Sequence, residues 1–89
     1  SSGKLDYKKQ KALQAQERKL RNTLKRTEER IEVVEARIAD LDEAAMDENI
    51  ATNAGKLMEI QKEKETLEAE LEELMEQWES LSETVEEQS

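Results

Sequence analysis

The 89-residue sequence predicts an all-α fold, a two-helix antiparallel coiled-coil hairpin. Three observations carry that prediction. Two apolar stripes run through the chain, one through Leu13, Leu20, Leu24, Thr27, Ile31, Val34, Ile38, Leu41 and Ala45. The other passes through Leu57, Ile60, Leu67, Leu71, Leu74, Trp78, Leu81 and Val85, with Lys64 standing in register. Their steps alternate three and four, a mean of about 3.5, so each stripe stays on one side of a slightly underwound helix and can face a partner along its length. The second observation is composition: 42% charged residues, 2% aromatic and no proline, the makeup of long helices in mutual contact. The third is charge. Residues 1–30 hold ten basic against four acidic side chains, a balance of +6, whereas the remaining 59 carry −15. Only a chain that folds back lets the basic arm meet the acidic one, so the hairpin is expected to be monomeric.

Ser1-Ser2-Gly3 reads as a cloning scar, which leaves 4–89 as the hairpin. The first helix is expected over about 7–46, with Asp6 as its N-cap because a carboxylate there can accept the free N–H groups of the first turn. With Leu24 at heptad position a, Ile31, Ile38 and Ala45 are also a, and Leu13, Leu20, Thr27, Val34 and Leu41 are d. Gln10 and Glu17 fall on the same seam and weaken packing at the open end. The apolar rhythm breaks in MDENIATNAGK, so the tip is placed at about 47–55, with Asp47, Asn49, Thr52 and Asn53 as capping candidates. The second helix follows over about 56–86. Two registers one heptad apart match the apolar layers. The longer-tip register, which is preferred, pairs Leu41 with Leu57, Ile31 with Leu67, Leu20 with Trp78 and Leu13 with Val85. It also sets Arg37 against Glu63 and Arg30 against Glu70. The tighter one places Thr27 opposite Lys64 but drives Arg37 toward Lys56.

Without cysteine or histidine the chain lacks thiol nucleophiles, disulfides, imidazole bases and the usual zinc ligands. No catalytic residue, metal site or cofactor is expected. No apolar run approaches the ~20 residues of a membrane span, and no signal-peptide pattern opens the chain, so a cytoplasmic protein is the default. Glu63, Glu70, Glu72, Glu73, Glu76 and Glu79 fall on flanking or outward positions and read as a solvated face. Trp78 occupies an a position and reads as packing, and Lys64 reads as a lysine whose stem lies on the seam while its ammonium reaches outward.

The basic residues carry more information. Lys11, Arg18 and Lys25 are all at b, and Lys19 and Arg26 at c, so they form a ridge on the side of the first helix facing away from the second. Arg21, Arg30 and Arg37 at e and g are the ones placed to neutralise the acidic arm. Successive b residues lie about 10 Å apart along the axis. Such a strip can follow a phosphate backbone without reading sequence. Basic outer faces also serve simply to keep coiled coils in solution.

KLDYKKQKAL at Lys4–Leu13, the long basic helix after it and the acidic return LEAELEELMEQWESLSE at Leu67–Glu83 together resemble the C-terminal coiled-coil domain of ABC-F ATPases of the Uup-like group. That family typically opens on K-L-S-Y-K-E-Q, turns at a hairpin tip and closes on W-E-E-L. Three departures stand out. Asp6 and Lys9 replace the family's Ser and Glu, keeping a cap but losing the return bond of a capping box. The tip Asp47-Glu48-Asn49-Ile50 has neither Asp-Pro nor an aromatic, and the closing motif reads Trp78-Glu79-Ser80-Leu81. The resemblance implies a detached, non-catalytic appendage of a cytoplasmic two-cassette ATPase, since no G-x-x-x-x-G-K-[ST] is present. It further implies contact with DNA or ribosomal RNA, which the charge pattern makes weak and sequence-independent in expectation, and contact with the parent's ATPase domains in cis. A hairpin that mediates protein contacts alone is the alternative.

Overall fold

The computed structural model describes residues 2–88. It is a rod of 75 × 18 × 15 Å. Helix α1 spans Ser2–Ala45, a single turn α2 spans Glu48–Ala51, and helix α3 spans Ala54–Glu87. The two long helices pack against each other along the rod, so the architecture is the all-α helical hairpin that the stripes predict.

The start of α1 corrects one expectation. Ser2 and Gly3 form its first residues and Asp6 lies inside it, so Asp6 is not the N-cap. Nothing upstream of Asp6 stops the helix, since the chain has no proline and Gly3 only lowers helix propensity without breaking the ladder. The tip reverses the chain in two capped steps. Asp47, in extended conformation, accepts from the Asn49 backbone N–H at 2.8 Å and caps α2; Thr52 Oγ1 donates to the Glu48 carbonyl at 2.8 Å near its end. Asn53 then accepts from the Lys56 N–H at 3.1 Å and caps α3. No described residue needs a positive φ, and Gly55 is simply part of α3.

The register is the longer-tip one, fixed by paired side chains on both flanks. Arg30 Nε donates to Glu70 at 2.6 Å and its Nη2 at 2.9 Å; Arg37 repeats the fork on Glu63 at 2.6 and 3.1 Å. Seven residues along α1 correspond to seven residues back along α3, one heptad on each helix. On the other flank Lys64 Nζ reaches Asp42 at 2.5 Å, which satisfies the one cation on the seam from its rim. Fourteen residues further on, the Trp78 indole N–H donates to Glu28 Oε2 at 3.3 Å.

Between these flanks Ile31, Val34 and Leu41 are buried, and Val34 is fully covered. Thr27 is buried with them, its hydroxyl donating to the Thr23 carbonyl at 2.9 Å, so a polar seam residue is satisfied within its own helix. No residue of α3 is buried. Extending the observed register brings Glu87 level with Leu13. The expected Leu13–Val85 layer therefore falls at the rim, and Leu13 is 57% exposed. Every described side chain from Gly3 to Gln16 is exposed. Residues 2–12 project beyond the end of α3 by about 16 Å at 1.5 Å per residue.

Candidate nucleic-acid interface

Because α1 turns a and d toward α3, its b and c positions look the opposite way. Lys11, Arg18, Lys19, Lys25 and Arg26 are all exposed and share that outer side. Among the described residues the ion pairs join Arg30 to Glu70, Arg37 to Glu63 and Lys64 to Asp42, and none of the five ridge cations takes part. Their local contacts are slight. Lys11 Nζ stands 5.9 Å from the centroid of the Tyr7 ring, a cation–π distance. Arg26 Nη2 reaches Thr23 Oγ1 at 3.5 Å, and that hydroxyl donates to the Lys19 carbonyl at 2.8 Å.

The flanking arginines behave differently. Arg30 and Arg37 are held further toward the charged form by their bidentate bonds to Glu70 and Glu63. Each glutamate is correspondingly held below the usual carboxylate range, first by the hydrogen bond from its arginine and then by its charge. Lys64 is raised by its bond to Asp42. Arg21, expected to join the neutralising set, is in no ion pair among the described residues.

The longer α1 also lengthens the ridge. Lys4 is the b residue one heptad before Lys11, and it sits on helix because α1 begins at Ser2. Sequence reasoning passed over it by starting the helix at Tyr7; the seven-residue spacing Lys4, Lys11, Arg18, Lys25 was the signal that could have found it. The four b cations span about 32 Å of helix at 1.5 Å per residue. The next b residue is Glu32, so the ridge ends where the sign of the outer face changes. Among the described residues no group of three or more acidic side chains is arranged to hold a metal ion. No helix among them is long and apolar enough to cross a membrane.

The ridge, the tip and Trp78 all fall within residues 4–83, the segment matched by the family model described as the ABC transporter C-terminal domain. The chain belongs to that family. Nothing among the curated proteins and nothing among the solved structures matches it. As an ABC transporter C-terminal domain it is an appendage of an ABC protein, and the match includes the projecting start of α1 from Lys4 onward. The ridge from Lys4 to Arg26 therefore lies wholly within the matched segment.

Proposed function

We propose that this domain is the non-catalytic C-terminal coiled coil of a cytoplasmic, Uup-like ABC-F ATPase, and that it lays the outer ridge of α1 against the phosphate backbone of DNA or ribosomal RNA. One observation carries the reading: five exposed cations share the face of α1 turned away from the acidic helix, and none is used in an ion pair among the described residues. Charge of this kind follows phosphates and releases counterions but reads no bases. Lys11, Arg18, Lys19, Lys25 and Arg26 engage at most five phosphates. The slope of log K against log salt is then no steeper than about −4.5 on duplex DNA, and about −5.4 if Lys4 joins them. The affinity is of the non-specific kind, ~10⁻⁴–10⁻⁶ M, held down by a net charge of −9.

The experiment replaces Lys11, Arg18 and Lys25 together by Glu and measures DNA and RNA binding at low salt, with circular dichroism reporting helix content. Folding persists and binding is lost on this reading, because the three residues are exposed at b positions turned away from α3. Unchanged binding would make the ridge a solvated face. A second reading has its own observation: Leu5 and Tyr7, 62% and 64% exposed on the projecting turns, offer apolar contact to a protein surface, the parent's ATPase domains in cis being the nearest.

A further inference from the structure

Beside the Trp78 indole lies a shallow groove of about 260 Å³ lined by Glu28, Ile31, Glu32, Glu35, Met75 and Trp78. Its rim is acidic and its floor is apolar, with Met75 47% exposed. Glu28, Glu32 and Glu35 stand at i, i+4 and i+7 and so share one strip of α1. Among the described residues neither Glu32 nor Glu35 is in an ion pair. At the other end of the same helix, on the turns beyond α3, Lys4, Lys8 and Lys11 stand at the same i, i+4, i+7 spacing. All three are exposed. The two strips cannot meet within one molecule, because Lys11 and Glu28 are seventeen residues apart on one continuous helix, about 25 Å.

We propose that a second copy of this chain covers the groove, its projecting Lys4–Lys8–Lys11 strip lying antiparallel along Glu35–Glu32–Glu28. The arrangement is reciprocal. A two-fold axis passing α1 between Lys19 and Leu20 sets Lys4 opposite Glu35 and Lys11 opposite Glu28, and generates the same pairs on the other copy, as an isologous contact requires. Tyr7 sits at an e position, the flank of α1 that borders α3. The two-fold therefore brings its ring over Met75 and Trp78 of the second copy, and the ring is free to do so, being 64% exposed. The same axis brings Arg18 near Arg21 of the second copy. That like-charge contact keeps the association weak and leaves the monomeric hairpin as the species at low concentration. The proposal does not depend on the nucleic-acid reading and is tested without nucleic acid.

The test is sedimentation equilibrium from about 10 μM to about 1 mM, a range that brackets weak association. It is run near 0.01 M and near 1 M salt, where the Debye length is about 30 Å and about 3 Å. The natural chain gains mass with concentration at low salt and not at high salt. K4E/K8E/K11E and E28K/E32K/E35K each stay monomeric, and an equimolar mixture of the two recovers the association, because each then offers the strip the other lacks. The reversals move the net charge of −9 by six, to −15 and −3, so both variants remain acidic and bulk attraction does not mimic the recovery. Circular dichroism on each variant establishes that the hairpin is intact. A natural chain that stays monomeric throughout at low salt overturns the proposal, and so do single variants that associate like the natural chain or a mixture that does not recover.

Discussion

Val34 and Leu13 both stand at heptad position d, and the heptad pattern alone gives the larger leucine the greater weight. The structure reverses the order, since Val34 is fully covered whereas Leu13 is 57% exposed where α3 runs out. Val34→Ala removes two carbon groups from the seam, worth about 1.6 kcal/mol of transfer at about 0.8 per group. Alanine's better helix propensity returns roughly 0.6 kcal/mol, and the unfilled space between the helices adds a cavity cost. The expected net loss is about 1–2 kcal/mol, or about 4–16 °C in melting temperature for a chain of this size. Leu13→Ala touches a rim position and should stay within about 0.5 kcal/mol of the natural chain. Thermal melts followed by circular dichroism at the helix minimum measure both. A Leu13→Ala loss as large as that of Val34→Ala would mean that the start of α1 is packed, and would refute the projection on which the second-copy contact rests.

Two further outcomes follow from the caps and the ion pairs. Asn53→Ala removes the side chain that accepts from the Lys56 N–H and should cost about 0.5–2 kcal/mol, whereas Asp6→Ala, inside α1, should leave the denaturant midpoint unchanged or slightly raised. Glu63 and Glu70 are held below the usual carboxylate range by Arg37 and Arg30. Their pairing therefore stabilises the fold in full above the ordinary carboxylate value of about 4.3 and is lost as pH falls through the lower folded value. The advantage of the natural chain over R30Q/R37Q in urea should be constant from neutral pH to about pH 5 and shrink below it. An advantage that grows on acidification would contradict the assigned pairs.

The two long helices, their antiparallel sense and the charged pairs Arg30–Glu70 and Arg37–Glu63 follow from the chain alone, because a 3.5-residue apolar repeat interrupted once, with opposite charge on its two arms, has few other ways to bury its stripes. Register was the point at which periodicity stopped. A heptad shift maps leucines onto leucines, so both alignments satisfy the apolar layers equally. The choice rested on the sparse charged residues at e and g, and the pairing of Asp42 with Lys64 across the opposite rim came to light only with the helices docked. The exposure of Leu13 and the isolation of Arg21 were likewise settled by tertiary structure. Each depends on where one helix ends relative to the other, and that level is set by how many residues the tip consumes in α2 and its two caps. Local periodicity repeats every seven residues and carries no record of that count. The outward ridge of Lys11, Arg18, Lys19, Lys25 and Arg26 was readable beforehand for the opposite reason: which side of a helix a residue occupies is decided by its distance from the apolar stripe on the same helix, and needs no partner to define it.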